Sequence, residues 1–280
     1  MKKILITGKN SYVGKSLEKW LRKYPEQYSV DLISLRDDSW KKKNFSEYDV
    51  VFHVAGIAHI KETKENADIY YKVNRDLAYE VAYKAKVEGV KQFIFLSSMS
   101  VYGIESGVID INSSLKPKSN YGKSKLQAEE LINPLGSNEF KTAIIRPPMI
   151  YGKGCKGNYA RLGNLARTLP IFPNVENKRS MIYIGNLCEF LRLIIDDSKS
   201  GLFFPQNADY VCTSEMVKMI AELHGTKMRM TRLFNLFLRL IRVNTVKKVF
   251  GDLVYDKQID EYKNRYTIYD FETSIRLTEK

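Results

Sequence analysis

Ile4-Leu5-Ile6-Thr7-Gly8-Lys9-Asn10-Ser11-Tyr12-Val13-Gly14 decides how the first half of this chain is read. The apolar run makes a strand, Gly8 permits a tight turn, and Leu17, Trp20 and Leu21 then recur with helical period. Gly14 lets that helix pack close to the strand. A helix N-terminus presents N–H groups that lack intrahelical partners, so the turn between the glycines suits the pyrophosphate of a dinucleotide. The middle position of the Gly-x-x-Gly-x-x-Gly spacing is Ser11, which is small and keeps a hydroxyl donor. Two glycines after a strand also describe an ordinary turn; the strand–turn–helix context raises the dinucleotide reading above it. Gly8, Ser11, Tyr12, Val13 and Gly14 are therefore candidate cofactor contacts.

Working outward, strand-like runs at 30–35, 50–54, 92–97 and 142–145 alternate with helical patterns, the longest over 67–88. Such alternation predicts an α/β fold, a Rossmann-type doubly wound parallel sheet with helices on both faces. An acidic residue at the end of the second strand would accept from the adenosine ribose of NAD, whereas an arginine suits the 2′-phosphate of NADP. Ser34 stands at that place and Arg36 two residues on, which favours NADP; Asp37 and Asp38 follow and keep NAD open.

Tyr121 and Lys125 are four residues apart at the start of an amphipathic run, so both lie on one helix face. A tyrosine hydroxyl, with a pKa of about 10, is a poor base at neutral pH, and a neighbouring ammonium is expected to lower that value. Ser98 ends the strand-like run at 92–97 and offers a hydroxyl to a substrate oxygen.

The 280 residues are 44% hydrophobic, enough for a large core, yet no run approaches the roughly 20 apolar residues of a membrane span. The chain start, with two lysines and three apolar residues before Gly8, reads as a first strand rather than an export signal. Cys155, Cys188 and Cys212 are odd in number and widely spaced, giving neither a disulfide framework nor a metal-ligand pattern. That usage fits a cytoplasmic protein. The net charge of +13 suits an anionic partner, but Lys41-Lys42-Lys43 lacks the aromatic–glycine pattern of an RNA-binding sheet, so nucleic acid is not expected.

Five pieces now stand in order: Thr7-Gly8 with Gly14; His53-Val54-Ala55-Gly56; Ser97-Ser98-Met99-Ser100-Val101-Tyr102-Gly103; Tyr121-Gly122-Lys123-Ser124-Lys125; and Arg146-Pro147-Pro148-Met149-Ile150-Tyr151-Gly152. Together they resemble the extended short-chain dehydrogenase/reductase family, in its branch of NAD(P)-dependent sugar-nucleotide epimerases and dehydratases. The resemblance runs from residue 1 to about 205 and is nearest to the UDP-hexose 4-epimerases and UDP-4-keto-sugar reductases of capsule and O-antigen synthesis. It implies that Tyr121 is the catalytic acid/base, that Lys125 binds the nicotinamide ribose and tunes the tyrosine, and that Ser98 holds the reacting oxygen. Ala55 and Gly56 match the loop beside the cofactor, and Asn74 a supporting asparagine. His53, on an apolar strand, reads as a packed residue, and His59 and His224 are given no role.

In the second half, Asn158 and Arg179 match the family's asparagine and arginine that meet the substrate diphosphate, for which an arginine fork is suited. The resemblance implies a dinucleotide-binding domain over 1–152, with 181–205 returning to it, and a smaller α/β lobe for the UDP-sugar over 153–180 and 206–280. Over 227–250, Arg232, Asn235, Arg239 and Arg242 fall at helical spacing among large apolar residues. That segment reads as a helix within the lobe or as a weak peripheral contact with an anionic membrane. The family's dehydratases carry Asp-Glu after the catalytic threonine; here Met99-Ser100 follows Ser98. Two reactions remain at C4 of a nucleotide sugar: reduction of a UDP-4-keto-6-deoxy-N-acetylhexosamine, which is favoured, or 4-epimerisation with tightly held NAD. A non-catalytic NADP-binding regulator is the alternative of another class, set against the intact Ser98, Tyr121 and Lys125. A homodimer is compatible with either enzyme.

Overall fold

The computed structural model describes residues 1–58, 60, 62–63, 65–236, 244–263 and 265–280. They form two compact units. The first holds Met1–Gly103, Ser114–Pro147 and Leu187–Pro205; the second holds Ile104–Ser113, Pro148–Asn186 and Gln206–Lys280. The sequence reading drew its line at 152 and kept 104–113 with the first part; in the structure that short segment belongs to the second unit.

The first unit is built on a six-stranded parallel sheet. Its first four strands in the chain are β1 (Lys2–Thr7), β2 (Tyr28–Ile33), β3 (Val50–His53) and β4 (Gln92–Leu96). Across the sheet the order is Gly201–Phe203, Lys141–Ile145, β4, β3, β1, β2. β3 is buried throughout and β4 nearly so, as expected of strands covered on both faces. β2, at the edge, is only part-buried. One side of the sheet packs Leu5, Val51, Phe93 and Phe95 against Val81, Ala85, Ala128 and Ile132 from two helices. The chain leaves β1 for β2 on one side and then crosses to β3 on the other, so β1 is the switch point at which such sheets open a crevice at their carboxyl ends.

The single helix expected over 67–88 is interrupted. Ala67–Tyr71 and Leu77–Val87 are α-helical, but Lys72–Asp76 between them is a π-turn. The wider turn carries Asn74, which is wholly buried and bonded to backbone and Ser124 rather than following the helical spiral.

In the second unit, short parallel pairs join Met149–Tyr151 to Met181–Tyr183, Gly107–Ile109 to Leu253–Tyr255, and Ile171–Pro173 to Arg229–Thr231. The Phe271–Glu279 helix is tied down at its end, where Glu279 accepts from Tyr159 at 2.8 Å and Arg167 at 3.1 Å and pairs with His224 at 2.7 Å. The one-helix reading of 227–250 is corrected here. Arg229–Thr231 is a strand, because it completes a ribbon with Ile171–Pro173, and a helix occupies Asn244–Phe250. Arg239 and Arg242 of the proposed stripe lie outside the described residues, as does His59. The three cysteines are free thiols. Among the described residues no helix is long and apolar enough to cross a membrane, and no group of three or more His, Cys, Asp or Glu is placed to hold a metal ion.

Candidate active site

The turn after β1 has the local chemistry that a pyrophosphate needs. Gly8 adopts φ +98°, and a Cβ there would come within 3.0 Å of the Ala55 backbone. Only glycine fits a turn that is both left-handed and that close to the end of β3. Ser11 caps the Tyr12–Leu21 helix, hereafter α1, its Oγ accepting from Gly14 N at 3.3 Å. The first turn of α1, which begins at Tyr12 and Val13, presents backbone N–H groups at the positive end of the helix. At Gly14 a Cβ would press on Ile6 and Val54 at 3.1 Å, so this glycine sets the approach of α1 to the sheet. Beyond β2, Ser34 Oγ accepts from Arg36 N at 3.3 Å, and the Arg36 side chain is exposed. Ile33 O, the last carbonyl of β2, accepts from Gly8 N and Lys9 N at 2.9 and 3.0 Å, which sets the end of β2 beside the glycine turn. A cradle that excludes Cβ atoms, a helix N-terminus and a β2 end without a carboxylate together fit a dinucleotide.

The second group gathers at the carboxyl end of β4. Ser98 caps a short 3-10 turn, Met99–Tyr102, and its Oγ accepts from Ser100 N at 3.1 Å. The Asn120–Ile132 helix carries Tyr121 and Lys125 and is capped by Ser119, which accepts from Gly122 N at 3.0 Å. Gly122 explains how close this helix comes to Ser98. A Cβ there would lie 2.6 Å from Ser100 O, a backbone atom with little freedom to retreat. The N–H groups of Asn120 and Tyr121 donate to the Glu62 carboxylate at 3.0 and 3.1 Å, an anion where the helix dipole favours one.

Lys125 is buried, and its Nζ donates to Leu96 O at 2.8 Å and sits 4.5 Å from the Phe95 ring centroid. Burial pulls its pKa down to about 8, against the opposing pull of the Glu129 carboxylate. Tyr121 moves the other way from the expectation. Desolvation of its hydroxyl raises the pKa above the usual value, and the Ser98 hydroxyl beside it only partly offsets this. Tyr121 is thus a protonated acid in this state.

Asn74 braces the same corner. Its Oδ1 accepts from Ile57 N at 2.8 Å, and its Nδ2 donates to Ile57 O at 3.0 Å and Ser124 Oγ at 3.1 Å. Gly56 lies in that corner, where a Cβ would meet Asn74 Oδ1 at 3.0 Å and Lys125 Nζ at 3.5 Å. Gly56, Asn74, Ser98, Tyr121 and Lys125 are therefore brought together, with Ala55 leading back to the Gly8 turn. His53 is sealed away, its ring stacked near Phe93 and Phe95 and its Nδ1 3.0 Å from Thr7 Oγ1. Burial and then the Lys125 charge push its pKa down to about 3, which holds it neutral. In the second unit, Asn158 is exposed at the first helical position after Gly157. Arg179 donates to Gly251 O at 2.9 Å, and burial draws its pKa below the usual range.

Sequence reasoning missed one group. One turn beyond Lys125, Glu129 is 4% exposed and is gripped by Arg146, also buried, whose Nε lies 3.0 and 3.1 Å from its two oxygens. Ser97 Oγ donates to the same carboxylate, and Arg146 Nη1 donates to the Tyr102 hydroxyl at 2.9 Å. The spacing Tyr121, Lys125, Glu129 was a usable signal: three polar side chains on one stripe of a helix that otherwise buries Ala128 and Ile132.

The profile of the NAD dependent epimerase/dehydratase family matches residues 4–204. The chain belongs to this family. Among its relatives is a UDP-glucose 4-epimerase of Vibrio cholerae, 31% identical over 249 residues, covering 79% of this chain and 75% of the relative. The N-acetyl-alpha-D-glucosaminyl-diphospho-ditrans,octacis-undecaprenol 4-epimerase of Escherichia coli O157:H7 is 31% identical over 64% of this chain, which spans only 54% of that relative's length. The fold is that of the UDP-glucuronic acid 4-epimerase from Bacillus cereus, solved with NAD: TM-score 0.75 at 18% identity, over 99% of this chain and 96% of that one. As a member of the NAD dependent epimerase/dehydratase family, this chain is an enzyme built on a Rossmann-type sheet.

Proposed function

We propose that this epimerase/dehydratase family member reduces the C4 ketone of a UDP-4-keto-6-deoxy-N-acetylhexosamine with NADPH. When bound, the nicotinamide supplies the hydride that adds to C4. The observation that carries the reading is the grouping of Ser98, Tyr121 and Lys125 beside Gly56 and Asn74. Ser98 Oγ holds the substrate O4, and Tyr121 gives its proton to O4 as the negative charge develops there. Lys125 holds the nicotinamide ribose and steadies the tyrosinate that the transfer leaves. Gly8, Ser11, Tyr12, Val13 and Gly14 hold the pyrophosphate, while Ala55 and Gly56 line the path to the reacting end. Asn158 and Arg179 meet the substrate diphosphate, Arg179 with guanidinium N–H groups beyond the one that holds Gly251 O.

One feature supports reduction over epimerisation. The β2 end offers Ser34 and an exposed Arg36 rather than a carboxylate, which suits an exchangeable NADPH. The 4-epimerase reading is favoured by the Vibrio cholerae relative, matched over most of both chains. Mixing enzyme, NADPH and the UDP-4-keto sugar separates them: stoichiometric loss of absorbance of the reduced cofactor is expected. Interconversion of UDP-GlcNAc and UDP-GalNAc without added cofactor, and no oxidation of NADPH, would overturn the reductase. No turnover in either assay, with NADPH still bound, would leave the non-catalytic regulator.

A further inference from the structure

Residues 223–251 contain seven lysines and arginines and no aspartate or glutamate. That concentration carries more than half of the chain's net charge of +13. Within it, the turn that follows the Arg229–Thr231 strand exposes large apolar side chains: Leu233 is 87% exposed, Leu236 73% and Phe234 47%. Between them Asn235 turns inward, its Nδ2 donating to Asn174 O at 2.8 Å and its N–H to Arg232 O. The turn is thus pinned by its polar residue while its apolar neighbours face water. Lys227, Arg229 and Arg232 are exposed beside them, and Ile171, opposite Arg229 in the two-stranded ribbon, is 47% exposed. Glu176 is the carboxylate that meets this group, paired with Arg232 at 3.0 Å in an exposed contact that solvent screens.

We propose that this turn is a docking surface for an anionic lipid bilayer. Leu233, Phe234 and Leu236 enter the boundary between headgroups and acyl chains, and Lys227, Arg229 and Arg232 face the lipid phosphates. Charge complementarity selects this occupant. A second copy of the chain would set one cationic turn against another, whereas an anionic bilayer offers apolar depth and negative charge together. The surface lies outside the residues assigned to cofactor and sugar, so docking leaves the chemistry of the site unchanged.

The test is sedimentation of the full chain with vesicles of phosphatidylglycerol and phosphatidylcholine, against phosphatidylcholine alone. The expected result is binding to the anionic vesicles that weakens with salt. Replacing Leu233, Phe234 and Leu236 together by serine should lower the partition coefficient by at least about tenfold. Lys227→Glu with Arg229→Glu should lower it on the order of tenfold or more. Both variants should keep the wild-type urea midpoint and the wild-type rate on a soluble UDP-sugar. Failure to sediment with anionic vesicles, equal binding to both vesicle types, or unchanged binding of the serine variant would each overturn the surface. So would a concentration-dependent dimer that the serine variant abolishes. Sedimentation needs no turnover, so these outcomes are independent of which C4 reaction the enzyme performs.

Discussion

Replacing Glu129 tests whether the buried Arg146 pair holds the catalytic corner together. Both side chains are nearly sealed from water, and Glu129 accepts from Arg146 Nε, from Nη2 and from Ser97 Oγ. Glu129→Leu would leave the guanidinium buried with the Tyr102 hydroxyl as its remaining side-chain acceptor among these contacts. Breaking a buried pair on one side costs about 3–5 kcal/mol, because the partner's charge is left uncompensated. At a urea m-value of about 2–3 kcal/mol/M, that loss moves the midpoint down by about 1–2.5 M. Both tryptophans, Trp20 and Trp40, belong to the first unit, so their fluorescence reports the unfolding of the part that contains the pair. Arg146→Met should lose a similar amount. The double variant should recover most of it, since two apolar side chains can replace an ion pair at little net cost. A single-variant loss below about 1 kcal/mol, or a double variant as unstable as the sum of the singles, would refute the claim that the pair is a coupled, desolvated unit.

Three further outcomes follow from the site. Tyr121→Phe should lower turnover by about 10²–10⁴-fold while NADPH titration stays near wild type; wild-type turnover would remove the tyrosine from the chemistry. Burial depresses Lys125 to about 8, below its ordinary value, so between pH 8 and the unfolded lysine's pKa the folded chain holds fewer protons than the unfolded one. Its contribution to stability therefore rises with pH across that window, and wild type should gain stability relative to Lys125→Met as pH climbs; a flat difference in urea midpoints would contradict the buried ammonium. Arg36→Ala should weaken NADPH more than NADH in fluorescence titration, and equal losses would return the choice to NAD.

Local signals were enough for the frame of this protein. The Gly8–Gly14 turn, the apolar runs of β1, β3 and β4, and the four-residue step from Tyr121 to Lys125 are all encoded within a few neighbours, because strand, turn and helix periods are local properties. The long-range decisions were not legible that way. Asn74 sits on a π-turn because its amide finds Ile57 and Ser124, partners 17 and 50 residues away. Glu129 is an ion-pair member rather than a surface carboxylate because Arg146 follows the strand next to β4. Gly107–Ile109 belongs to the second unit because its hydrogen-bonding partner is Leu253–Tyr255, far along the chain. The direction of the Tyr121 pKa belongs here too. Spacing put a cation on the right helix face, but only the folded chain showed that the hydroxyl is desolvated, and that burial raises its pKa. Sequence periodicity determines which face a side chain occupies; tertiary structure decides what it meets there, and electrostatics depends on the second.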